Sequence, residues 1–178
     1  MREAVPSDGP SVAALIRELA EYEGLSGEVV WDEAALFEAV FGDGAVPKVL
    51  LAEDEGEVVG FALYFSTFST FLGKPGIWLE DLFVRPQHRG AGHGRALLEA
   101  LAARTSGRVE WNVLTWNEKA IGVYEAVGAR PVEGWITYRW LPGTDDGAGT
   151  PVGGAGTPED GAATRDDGAG TRDDGAGT

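Results

Sequence analysis

Cysteine is absent from the 178 residues. That excludes disulfides and any thiolate nucleophile, while leaving the compartment open. Histidine occurs only as His88 and His93, with no third ligand type clustered beside them, so no metal centre is expected. No apolar run is long enough to cross a bilayer, and no basic segment leads into an apolar one near Met1. A cytoplasmic protein without membrane contacts is therefore the default expectation. Basic charge is scarce too: 14 Lys and Arg stand against 29 Asp and Glu. Such a chain lacks the basic footprint that nucleic-acid phosphates require. The acidic surplus would attract cationic substrates and raise their encounter rate, though it also serves plain solubility.

The charge is unevenly spread. From Gly143 onward eight acids face only Arg165 and Arg172, which leaves a net −9 on residues 1–142. DDGAGT recurs at Asp145, Asp166 and Asp173 among Gly, Ala, Thr and Pro. These copies are irregularly spaced and lack the apolar position that would stack a calcium-binding β-helix. Residues 143–178 are expected to be a disordered acidic tail, since nothing in them repays the entropy of ordering. Residues 1–142 are long enough for one domain with a proper core.

What is present is organised around Leu79 to Leu98, LEDLFVRPQHRGAGHGRALL. Residues 77–84 are apolar on both alternating faces, as in a strand covered on both sides, except for Glu80 and Asp81. Pro86 ends the strand, because proline cannot donate to a ladder. The turn Arg89-Gly90-Ala91-Gly92-His93-Gly94 follows, and Leu97, Leu98 and Leu101 then repeat at helical spacing. Glycines at alternate positions let backbone N–H groups point into a common space. The helix start adds unpaired N–H groups and a positive dipole end, and Arg89 and Arg95 add fixed charge. Alone, such a turn is as consistent with an ordinary loop as with an anion site. It is not a dinucleotide fingerprint, since the third glycine comes one residue early. Nor is there a Walker loop, because Gly73-Lys74 precedes Pro75.

In chain order, residues 1–5 have room for a clipped strand. Ser7 or Asp8 is positioned to cap a helix with Val12, Leu15, Ile16 and Leu19 on one face, ending near Gly24. A second helix is expected over 32–41, stopping at Gly42. Residues 49–52 and 58–65 form a hairpin across a polar turn containing Gly56, and a loop over 66–76 leads to the central strand. The helix after the glycine turn should reach about Thr105. Residues 108–114 alternate as a strand, parallel to the central one because a helix joins them. Residues 117–127 form a short helix closed by Gly128, with short strands at 130–132 and 136–141.

The block Leu79-Glu80-Asp81-Leu82-Phe83-Val84, the Arg89-Gly90-x-Gly92-x-Gly94 turn, and Trp116-Asn117-Glu118 with Tyr124 and Gly128-Ala129 together resemble the GNAT superfamily of acyl-CoA N-acetyltransferases. The stretch from Leu15 to Glu23 and Val59-Gly60-Phe61-Ala62 follow its diamine acetyltransferases, the spermidine/spermine and thialysine enzymes. Ser66-Thr67-Phe68-Ser69-Thr70 lacks the acid that polyamine-acetylating members carry there, and is more similar to the thialysine type. The resemblance implies an α/β fold: a mixed, mostly antiparallel sheet with one splayed parallel strand pair and flanking helices. It also implies direct transfer of acetyl from acetyl-CoA to a primary amine of a small basic substrate, with no metal.

By that resemblance Arg89, Gly90, Ala91, Gly92, His93, Gly94 and Arg95 hold the CoA pyrophosphate. Backbone groups of Leu82, Phe83 and Val84, at a bulge, pair with the pantetheine and polarise the thioester carbonyl. Asn117, Lys119 and Ala120 complete the cofactor site. Tyr22, Glu23, Glu80, Glu110, Trp111, Asn112 and Glu133 contact the substrate, and Tyr124 protonates the departing sulfur. From spacing alone Tyr124, one turn after Ile121, is a core tyrosine. Glu80 and Asp81 are expected on opposite strand faces, where a carboxylate is costly unless paired or used. A structural pair is one explanation. The other is that Glu80 strips the ammonium proton through a water, with Asp81 as the second candidate and a substrate anchor.

A homodimer is expected from the same resemblance, since Trp135, Tyr138, Trp140 and Leu141 are too apolar for an exposed edge. The alternative is that they cover their own sheet. Two rival functions remain: a protein or peptide N-acetyltransferase, and a non-catalytic acyl-CoA-binding module.

Overall fold

Val49, Leu50, Leu51 and Ala52 are all buried, although successive residues of a strand point to opposite faces. Both faces of their sheet must therefore be covered. The computed structural model describes residues 1–140 and 142, and it places helices on each side.

Five strands, β1 (Arg2–Glu3), β2 (Lys48–Asp54), β3 (Glu57–Ser69), β4 (Lys74–Val84) and β5 (Val109–Glu110), form one sheet in chain order. Neighbours are antiparallel except for the parallel pair β4–β5. The helices are α1 (Gly9–Glu23), α2 (Glu33–Phe41), α3 (His93–Ala102) and α4 (Glu118–Ala126). On one face Leu97, Leu98 and Leu101 of α3 pack on Leu50, Ala52, Ala62, Ile77 and Leu79. On the other, Val12, Leu15 and Leu19 of α1 pack with Val40 of α2 on Val49, Leu51, Phe61 and Phe83. The expected mixed, mostly antiparallel sheet with one parallel pair is the observed one.

Local signals account for most boundaries. Asp32 caps α2 by accepting the Ala35 N–H at 2.8 Å. Gly24 ends α1 at φ 73°, where a residue with a Cβ would be strained. Asp8 precedes α1 but does not cap it with its side chain. Its carboxylate instead takes two bonds from the Arg2 guanidinium and the Val5 N–H, which holds its pKa down at about 2.

Four expectations need correction. Residues 66–76 are not a loop: β3 and β4 stay paired to Ser69↔Lys74, so only a tight turn at 70–73 remains. Ladder bonds there override the polar composition. β5 is two residues long rather than spanning 108–114, pairing only Ile77↔Val109 and Trp78↔Glu110 before the chain leaves β4. α3 ends at Ala102, three residues short of Thr105. No strand forms over 130–132 or over 136–140, Leu141 lying outside the described residues. A strand needs a ladder partner, and β5 offers too short an edge. The expectation for 143–178 also falls outside the described residues.

Candidate active site

The β3–β4 ladder slips once. Leu63 pairs with Asp81 but Tyr64 pairs with Leu79, so Glu80 is the extra residue of a β-bulge. The bulge lies at Glu80, ahead of Leu82-Phe83-Val84, where it was expected. It also resets the alternation of faces. Ile77 and Leu79 share the α3 side with Leu82 and Val84, whereas Phe83 joins the α1 side. Asp81, in step with Phe83, therefore turns toward the end of α1. Glu80 lies two residues from Trp78, on that residue's side, and accepts its indole N–H at 2.8 Å. The two carboxylates thus do not diverge to opposite faces, and the charge of Glu80 acts on Asp81.

Glu23, the last residue of α1, completes an acidic group. Burial, then the charges of Glu80 and Glu23, push the Asp81 carboxyl up to about 7. Burial also raises Glu23 itself. The Tyr124 phenol of α4 is pushed up to about 12, first by burial and then by Glu23. Tyr124 is half-buried, with its ring 4.9 Å from that of Trp111, against the α3-side core. Its hydroxyl makes no hydrogen bond among the described residues. A core location and a free hydroxyl are therefore combined in one residue.

The glycine turn links β4 to α3. Gly90 and Gly92 have φ of 85° and 88°, and Gly92 is the residue before the first turn of α3. The N–H groups of that first turn have no helical acceptor, and the turn itself contains no acidic residue. The cradle fits the pyrophosphate of an acyl-CoA on both counts. Arg89 donates from Nε to the Val84 carbonyl at 2.8 Å, and its guanidinium lies 4.3 Å from the Tyr22 ring centroid. Arg95, the other expected cation, is paired with Glu99 at 2.7 Å. His93 Nε2 is buried without a hydrogen bond, 3.7 Å from the Asp54 carboxylate that His88 also meets at 3.2 Å. Beyond Trp78 the edge of β4 through Leu82, Phe83 and Val84 has no strand partner among the described residues, and after β5 the chain continues to the start of α4. There Asn117 accepts the Ala120 N–H at 3.2 Å as a helix cap, and stands 3.5 Å from the Tyr22 hydroxyl.

The fold thus gathers Tyr22, Glu23, Glu80, Asp81 and Tyr124 around the open edge of β4. It does not gather all the candidates. Glu110 is paired with Arg108, Asn112 and Lys119 are exposed, and Glu133 lies exposed past α4. Two aromatics were not foreseen: Trp78, and Trp116 with its ring 6.0 Å from that of Tyr22. The two-residue period of a strand would have found the first. No group of three metal-ligating side chains occurs among the described residues, and none of their helices is long and apolar enough to cross a membrane.

The acetyltransferase (GNAT) family matches residues 13–129. The thialysine N-epsilon-acetyltransferase of Mus musculus is 37% identical over 155 residues, covering 79% of this chain and 91% of that protein. The spermidine/spermine N(1)-acetyltransferase-like protein 1 of Homo sapiens is 30% identical over 154 residues, 79% of this chain but 22% of that longer one. Among solved structures, an integron cassette protein from the mobile metagenome of V. cholerae superposes with a TM-score of 0.67 at 25% identity, covering 80% of this chain and 91% of that one.

Proposed function

Because the chain belongs to the acetyltransferase (GNAT) family and is an N-acetyltransferase, we propose that its acceptor is a small basic amine, a diamine or a lysine analogue. The observation that carries this reading is the acidic group Glu23, Glu80 and Asp81, gathered with Tyr124 at the open edge of β4. A neutral acceptor has no use for three carboxylates; an ammonium does. The names of the thialysine and spermidine/spermine relatives support the same class.

Acetyl-CoA, when bound, supplies the thioester. The first-turn N–H groups of α3 and the Arg89 guanidinium would hold its pyrophosphate, and the unpaired edge at Leu82, Phe83 and Val84 would pair with its pantetheine arm. An alkylammonium has a pKa of ~10, so a base must take its proton before attack. Glu80 ranks first on sequence, but Asp81 suits the role better, since a carboxyl near 7 is matched to neutral pH while the exposed Glu80 is tied to Trp78. Glu80 and Glu23 then anchor the cation. Tyr124 stays protonated across neutral pH and is the donor to the departing thiolate. An ammonium beside Glu23 offsets the charge that raises the phenol, making Tyr124 a better acid when the acceptor is in place.

We further read the active unit as a homodimer. Trp135, Ile136, Tyr138 and Trp140 are 74–87% exposed, a density of large apolar side chains that a partner subunit would cover.

A panel of amines and N-terminal peptides with acetyl-CoA, followed by CoA release, tests the function. Turnover is expected on diamines or thialysine. Turnover on peptides alone would reassign the acceptor, and tight cofactor binding without any turnover would make the protein a binding module.

A further inference from the structure

The guanidinium of Arg89, a cation expected at the phosphate cradle, lies against two aromatic rings. Its central carbon lies 4.3 Å from the ring centroid of Tyr22 and 5.5 Å from that of Phe83, both within the range where a cation is held by an aromatic face. The two rings stand 6.3 Å apart at 54°, forming the walls of a shallow corner. Glu23 follows Tyr22 in the chain, Asp81 lies in step with Phe83, and the Glu23 charge acts on the Asp81 carboxyl, so two carboxylates belong to the same neighbourhood. This is what an alkylammonium requires: aromatic faces for its hydrocarbon and charge, and carboxylates for its N–H groups.

We propose that Tyr22 and Phe83 form a cation seat for which Arg89 and the acceptor amine compete, and that acyl-CoA decides the competition by drawing the guanidinium to its pyrophosphate. The proposal rests on the amine-acceptor reading above. Arg89 is exposed, so its guanidinium can leave the rings for the cradle by giving up the Nε–H bond to the Val84 carbonyl. Tyr22 is otherwise held by Asn117, at a distance that makes only a weak hydrogen bond, and by the ring of Trp116. Arg89 and Asn117 are both groups that the cofactor is expected to engage. One ligand therefore releases two of the groups that hold Tyr22, leaving the Trp116 ring in place, and linkage makes the effect reciprocal.

Calorimetry on the full chain tests this, with thialysine and 1,3-diaminopropane as probes. Each is titrated with and without saturating desulfo-CoA, which carries the pyrophosphate but no thiol. Amine binding should tighten by at least ~5-fold when desulfo-CoA is present. In Arg89→Gln the cofactor-free protein should gain amine affinity, so that the two states agree within ~2-fold, a gain measured without any cofactor. Tyr22→Leu should weaken amine binding in the loaded state by ~2- to 30-fold. Equal amine affinities in the two wild-type states, or full coupling kept in Arg89→Gln, would overturn the proposal. Failure of every amine to bind even with desulfo-CoA would instead sink the amine-acceptor reading, and this inference with it.

Discussion

Glu23 stands between a carboxyl raised to about 7 and a phenol raised to about 12, and it contributes to both shifts. Removing its charge should ease the ionisation of each. In Glu23→Gln the rising limb of the pH–kcat/KM profile, governed by Asp81, should therefore move to lower pH; a limb that stays in place would remove Asp81 from the base role. Tyr124→Phe should lower kcat by ~10²–10⁴, the usual worth of a positioned acid, as single-turnover kinetics would show. Asp81 also bears on stability. Its folded pKa lies above the unfolded value, so stability falls as pH rises from about 4 to about 7 and stays lower above that. Asp81→Asn should accordingly stabilise the protein at pH 8 by about 1–3 kcal/mol and by much less at pH 4, a difference that urea melts at the two pH values would resolve. Both carboxylates were legible in the sequence, because charge inside an apolar strand is conspicuous. Their relative direction was not, because period-two alternation assumes an unbroken ladder and the bulge at Glu80 breaks it.

Among the elements, the glycine turn combines fold and function most closely. Gly92 holds φ at 88° just before α3 with nothing near the place of a Cβ, so conformation rather than space demands glycine there. Gly92→Ala should cost about 1–2 kcal/mol by denaturant melting and raise KM for acetyl-CoA, because the first-turn N–H groups would no longer converge. The long amphipathic helices and the β2–β3 hairpin follow from period and turn residues, both local properties. The extension of β3 and β4 through 66–76 and the shortening of β5 do not. Ser66, Thr67 and Ser69 are neutral in composition, and their ladder forms because β3 and β4 are already aligned by the buried residues behind them. Conversely Trp111 leaves the alternating pattern of 108–114 to pack on Tyr124, and that packing lies at the end of the splayed pair.

For the whole molecule, the exposed Trp135, Tyr138 and Trp140 make oligomeric state the decisive measurement. Light scattering on the 1–142 fragment should give a dimer with the activity of the full chain, since residues 143–178 hold almost nothing apolar to bury. An active monomer would remove the dimer, and activity that returns only with 143–178 would make that segment part of the enzyme. The family, and through it the fold class, were legible in the sequence alone, because the motifs that carry them are local patterns, and so was the glycine turn on which the proposed phosphate site rests. The acidic group around Asp81, the placement of Arg89 over Tyr22 and Phe83, and the unpaired edge at Leu82 to Val84 were decided only by tertiary structure. Each joins segments distant in the chain, α1, β4 and α4, and it is the packing of α1 and α4 on opposite sides of one bulged strand that sets them side by side.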